Sequence, residues 1–146
     1  METNKEQFNP IGFQLKKIST VQFALIEENY VDAVQDVAFG FWMKFGINQN
    51  ERMIASFVKI QFEQNQKPFL ILEVGHHYHI EPTAWEKMKV DSNILLPQHL
   101  ATHLLALTIG SARGVIHCKT ENSIFNQFLI PTVKMNDIVQ SDLLLK

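Results

Sequence analysis

Between Val37 and Asn48 the chain alternates without a fault. Val37, Phe39, Phe41, Met43, Phe45 and Ile47 take one parity, and Ala38, Gly40, Trp42, Lys44, Gly46 and Asn48 take the other. A period of two places each set on one face of a β-strand, whereas a helix would scatter them around its axis. A row of six large apolar side chains cannot face water without forming an aggregating patch, so a second layer must cover it. The fold class follows from that row: a sheet with something packed on one face.

The neighbouring segments supply the rest of the sheet. Ile18 to Glu27 alternates, with Ser19, Val21, Phe23 and Leu25 on one side and Ile18, Thr20, Gln22, Ala24 and Ile26 on the other. Glu28 to Asp36 breaks the pattern and reads as a connection. After the turn residues Asn48 to Glu51 a third strand sets Ile54, Val58, Ile60 and Phe62 against Lys59, Gln61 and Glu63. Asn65 to Pro68 makes the next break, and Phe69 to Ile80 forms a fourth strand with Leu70, Leu72, Val74, Tyr78 and Ile80 on one face. Short connections between the last three strands indicate an antiparallel meander.

The second half changes period. Pro82 to Met88 suits one or two helical turns that begin at a proline. Asp91 to Leu96 reads as extended. Pro97 then opens a long helix that runs through Ile109 to His117, because Leu100, Leu104 and Leu107, with Ala101, Leu105 and Thr108, recur at helical intervals. Gly110 and Gly114 weaken that helix or let a neighbour approach closely. Phe128 to Pro131 is extended, and Asn136 is placed to cap a last helix from Asp137 to Leu145. Strands followed by helices define an α+β domain: a four-stranded antiparallel sheet with two main helices packed on one face.

With 146 residues, no repeat and no linker-like tract, the chain reads as a single domain, residues 1–146. Thirteen basic against fifteen acidic residues give a net charge of −2, which argues against nucleic acid as a partner. The polar start, Met1 to Gln7, has no apolar core of a secretory signal, and no apolar run approaches the ~20 residues of a membrane span. One cysteine, Cys118, excludes an internal disulfide and fits the cytoplasm.

Catalytic chemistry finds little support. His76, His77 and His79 lie on the fourth strand, and His99 and His103 stand four apart on the long helix, a spacing that can grip a metal. The helix pair lacks the glutamate of the zinc-protease signature, and a metal-dependent enzyme is the third of three readings. Cys118 beside His117 is expected as a buried small hydrophobe, since adjacent side chains point apart. No nucleophile elbow or phosphate loop is present, and Glu27-Glu28 and Asp32/Asp36 read as solvated charge. The expectation is no enzyme, no cofactor and no metal. Trp42 is the exception to a core-bound aromatic complement. It points away from the apolar row, beside Lys44 and the glycines, as a binding or oligomer contact would.

The order of these motifs carries a resemblance. Four strands and a short helix precede Asn93-Ile-Leu-Leu-Pro97, which opens the long helix. Phe128-Leu-Ile-Pro-Thr-Val133 then precedes Asn136-Asp-Ile-Val139. From about Leu15 to Val139 this resembles the SecB family of protein-export chaperones, and the Asn93–Pro97 motif is its most specific element. The resemblance implies the same four-stranded sheet with two helices on one side, assembled as a dimer or a dimer of dimers. It implies a chaperone that holds unfolded polypeptides in apolar grooves and passes them to a translocase motor, without nucleotide or metal.

On this chain the resemblance puts Leu100, Leu104, Leu107, Gly110 and Gly114 at an oligomer interface, and Ile71 and Glu73 on the motor-docking face. The family's acidic first-strand positions match uncharged Thr20 and Ala24, and its long first crossover is shortened to Glu28–Asp36 with Tyr30 as its one aromatic. Strand parity and the place of the short helix nominate Trp42, Tyr78, Ile80, Trp85 and Met88 for client contact, with Tyr30 at the rim. The second reading is an oligomeric adaptor on the same sheet that binds one partner, such as an antitoxin-type client, without a translocase role.

Overall fold

The computed structural model describes residues 12–33 and 36–146. Met1 to Ile11, which hold the polar start, and Val34 and Gln35 in the first connection lie outside the described residues.

Four strands make the main sheet: β1 (Phe13–Leu25), β2 (Val37–Asn48), β3 (Met53–Gln64) and β4 (Lys67–Ile80). All neighbours are antiparallel and the order is β1-β4-β3-β2. β2, β3 and β4 form the expected meander, and β1 returns to the far side of β4. The β3–β4 hairpin turns on Asn65 and Gln66, both at positive φ, as a two-residue turn that matches strand twist requires. The connection from β1 crosses to the opposite edge and is pinned where it passes the end of the sheet. Gln64 accepts from the Val31 amide at 2.8 Å and donates to its carbonyl at 3.1 Å, while Asn29 donates to the Pro68 carbonyl at 2.8 Å.

The helices follow the expected sequence. α1 spans Pro82–Met88, and α2 spans Gln98–Thr120, three residues beyond the expected end. A small second sheet joins β5 (Lys89–Val90), β6 (Asn93–Leu96) and β7 (Leu143–Leu145). α2 lies across the two central strands, β3 and β4. Its inward residues Leu104, Leu105, Thr108, Ile109 and Ala112 meet the row Ile54, Val58, Ile60, Leu72, Val74 and Tyr78, and all of these are buried. The architecture is α+β, a four-stranded antiparallel sheet with helices on one face.

Two expectations are corrected. The last helix, expected from Asp137 to Leu145, is one turn, α3 (Met135–Ile138), and Leu143 to Leu145 form β7 instead. The three leucines pair with Leu96, Leu95 and Ile94, completing the ladder of β6, whose outer backbone groups would otherwise lack partners. Asp142 just before them accepts from the Gln98 amide at 2.8 Å and caps α2, which has no side-chain cap of its own at Pro97. Secondly, β1 starts at Phe13 rather than Ile18 and carries register shifts between Leu15 and Lys17 and between Thr20 and Gln22. Each extra residue reverses the parity beyond it. Ile18 and Thr20 therefore share the helix-side face with Phe23 and Leu25, opposite His76, Val74, Leu72 and Leu70, instead of lying behind them.

Candidate functional site

A single helix cannot roof four strands. α2 covers β3 and β4, so the helix-side rows of β1 and β2 are left as two flanks. On the β2 flank the row Phe39, Phe41, Met43, Phe45 and Ile47 is only half-buried, although it packs against the core. β7 approaches part of it. At one end of the sheet Phe39 stacks on Phe62, which leads into a cluster of Phe69, Phe125, Phe128 and Tyr30 with ring centroids 4.9–6.4 Å apart. Arg113 holds this end shut by donating to the carbonyls of Ile130 and Pro131 at 3.3 and 2.8 Å.

On the β1 flank α2 is tethered at two points. The His103 ring meets Phe13 at 5.6 Å, and Lys119 stands 5.5 Å over Phe23. Between the tethers Ile18 is 53% exposed and Leu15 is exposed beside it. Leu107, four residues from both His103 and the sheet-bound Ser111, is 43% exposed on the facing side of the helix. Gly110 and Gly114 leave open space where side chains would stand. The result is an apolar shelf along one edge of the domain.

The seam between α2 and the sheet is polar at its centre. His76 is buried and uses both ring nitrogens, Nδ1 to Tyr78 Oη at 2.7 Å and Nε2 to Ser111 Oγ at 2.6 Å. The Tyr78 hydroxyl donates to the Leu104 carbonyl at 3.1 Å. Both ring nitrogens of His76 are thus partnered by hydroxyl groups, one from its own strand and one from α2. Thr108 Oγ1 donates to the Leu104 carbonyl at 2.9 Å and shares a hydrogen bond of 3.0 Å with Ser56 Oγ, which completes the seam. Burial, with His77 nearby, pushes the His76 pKa below its ordinary value, and burial also raises that of Tyr78.

The opposite face of the sheet is open. Trp42 is 51% exposed there, as its parity requires. It borders a depression of about 210 Å³ with Lys44, Phe57, Lys59 and Glu73. His77 lies on the same face, with Oγ of Ser19 at 3.3 Å and Phe57 edge-on at 5.7 Å, and burial followed by Lys17 lowers its pKa.

These positions sort the expected site residues. Trp42 stands at the surface, and Tyr30 is half-buried, its ring on Phe69, Phe125 and Phe128 and its hydroxyl donating to Asp32 at 3.1 Å. Tyr78, Ile80, Trp85 and Met88 are core, not client-contact, residues. The parity of β4 that holds Tyr78 and Ile80 faces α2, and α1 turns Trp85 and Met88 inward beside Ile94. Leu104 is likewise buried beneath α2 and cannot meet a second copy, whereas Leu107, Gly110 and Gly114 lie outward and Leu100 is half-buried. Ile71 and Glu73 are on the open face, and the Glu73 side chain is 16% exposed, 3.9 Å from Lys44.

Cys118, expected to be buried, is exposed on α2. The histidines divide between sheet faces and helix: His99 and His103 border an apolar hollow of about 260 Å³ with Phe13, Ile80, Ala84 and Leu100. Among the described residues no three His, Cys, Asp or Glu side chains converge to hold a metal. Sequence reasoning named the helix half of the shelf, Leu107, Gly110 and Gly114, but missed its strand half, because the bulges that aim Ile18 leave no local signature. It also missed the polar seam, although a histidine and a tyrosine two apart on an otherwise apolar strand face were its visible sign.

No protein-family model matches the chain, and no curated protein matches its sequence. Among solved structures it is similar to the Mycobacterium tuberculosis Rv1957 SecB-like chaperone, solved in complex with a ChAD peptide from the Rv1956 HigA1 antitoxin. The two share 10% identity with a TM-score of 0.48, over 83% of this chain and 90% of that one. No helix among the described residues is long and apolar enough to cross a membrane.

Proposed function

We propose that this chain is a non-enzymatic holding protein that binds extended, apolar polypeptide segments along the β2 flank and self-associates through the β1 shelf. One observation carries the reading: α2 roofs only the two central strands, so apolar rows remain on both edges of the sheet. β2 pairs with β3 in unbroken register from Val37 to Asn48, so its free edge is a regular template for an added strand. A client strand placed there sets alternate side chains against Phe41 and Met43 on one face and beside Trp42 on the other. Each Å² of apolar surface removed from water contributes about 25 cal/mol, opposed by the ordering of the client.

β1 is a poorer template because its two bulges break the spacing of its outer groups. Its contribution is the side-chain shelf of Leu15, Ile18, Leu107, Gly110 and Gly114, which suits a second copy of the chain. The exposed, unpaired Cys118 is compatible with a reducing compartment such as the cytoplasm. A role in export through the translocase motor draws no support from Ile71 and Glu73, since one carboxylate beside Lys44 does not make an acidic docking face. The adaptor reading therefore remains the second one, without a motor.

The test is breadth of protection. The protein should delay aggregation of several unrelated denatured proteins, and Trp42→Ala should weaken that protection while the melting temperature stays within a few degrees. Protection of a single partner alone would select the adaptor. Protection of none would end the holding proposal.

A further inference from the structure

The open face of the sheet shows what kind of segment the chain prefers. Lys44 on β2 and Lys59 on β3 converge on the depression beside Trp42 and Phe57. The Lys44 ammonium stands 5.0 Å from the Phe57 ring centroid, and that of Lys59 stands 6.0 Å from the Trp42 ring. The Trp42 ring is folded back over Gly40, where an added Cβ would come within 2.6 Å of it, so the indole is laid along the sheet rather than waving in solvent. One carboxylate, Glu73, reaches the site and lies 3.9 Å from Lys44. Among the described residues no carboxylate stands within ion-pair distance of Lys59. The next one along β3, Glu63, accepts from Gln61.

Two ammonium groups and one carboxylate leave one positive charge in surplus. That suits a single carboxylate. A phosphate or polyanion would bring a second negative charge against Glu73. The depression, at about 210 Å³, is smaller than the roughly 300–1,000 Å³ in which proteins enclose small ligands. It can seat a side chain of something larger, whose remainder lies across the sheet. Trp42 offers that neighbour a flat apolar surface, and ammonium groups over aromatic rings are available to a carboxylate without being buried first.

We propose that this depression takes an aspartate or glutamate side chain of a bound polypeptide between Lys44 and Lys59, with an aromatic side chain two residues away in the same extended segment laid on Trp42. The inference rests on the polypeptide-binding reading and adds a sequence preference to it: segments pairing an acidic with an aromatic residue.

The experiment compares two blocked decapeptides of glycine and serine by isothermal titration at low salt, one with phenylalanine and glutamate two positions apart (the Phe-Glu peptide) and the other with glutamine in place of the glutamate. The Phe-Glu peptide should bind at least about fivefold more tightly. That preference should vanish in the double variant Lys44→Gln/Lys59→Gln and widen in Glu73→Gln, where the competing carboxylate is gone; circular dichroism confirms that each variant is folded. Equal binding of the two peptides by the wild-type chain overturns the acidic preference while leaving polypeptide binding intact. A preference that survives the double lysine variant overturns the assignment to this depression. Binding of neither peptide counts against the polypeptide-binding reading itself. Phenylpropionate binding as tightly as the Phe-Glu peptide would overturn the commitment to a polypeptide occupant.

Discussion

His76 is the side chain on which the join between helix and sheet depends most. It faces Tyr78 from its own strand, Ser56 from β3, Ile18 from β1, and Ser111 and Thr108 from α2, with His77 next to it and Lys17 beyond. None of these is a carboxylate, so a proton on the ring would meet no counter-charge. Its folded pKa lies below the ordinary 6.5 that the unfolded chain shows. As pH falls through 6.5 the unfolded chain takes up a proton that folded His76 refuses, and stability declines until the folded pKa is passed. Urea unfolding between pH 8 and 5 should show this loss, and His76→Gln, which keeps a donor and an acceptor, should flatten it. An unchanged slope in that variant would place the titration elsewhere, His77 being the other lowered group. The two tryptophans show how far single residues could be read. Parity alone placed Trp42 at the surface, because an unbulged strand preserves it. Trp85, 1% exposed, sits on a helix of seven residues, too short for periodicity to tell its inner side from its outer.

The elements were legible in proportion to how much of their pattern was local. β2, β3, β4 and α1 fall within a few residues of their expected bounds, because each carries its own alternation or proline start. β7 does not, since three leucines take a strand only where β6 offers an edge. β1 was found but misaimed by its bulges, and with it went half of the candidate site. α2 carries a further prediction. Gly110 and Gly114 are solvent-facing helix positions at which a Cβ meets nothing within 4 Å. Alanine at each should stabilise the isolated protomer by about 0.5–1 kcal/mol. If the shelf is where copies meet, the added methyls should weaken self-association at the same time. A rise in melting temperature with no change in assembly would free the helix from that role.

For the molecule as a whole, the partial roof matters more than any one contact. Apolar rows at both margins are a solubility hazard unless another chain covers them. Light scattering should give a mass at least twice that of the 16.8 kDa protomer. Ile18→Glu combined with Leu107→Glu, both at exposed positions, should return it to one protomer while circular dichroism stays unchanged. A wild-type protein that runs as a monomer at high concentration would remove the shelf from the account. None of this large-scale arrangement could be read from residue types alone, because which strands a helix leaves uncovered is decided by the strand order, and β1 joining β4 rather than β2 is set by contacts far apart in the chain.

The two irregularities in β1 also make the two margins of the sheet unlike. With two equally straight margins, each copy could knit onto the next in an endless ribbon. If copies meet at the shelf as proposed, a crooked margin on one side and a straight one on the other would make the protomer a tile with a single receptive rim, and assemblies built from it would stay finite with a place vacant for a guest.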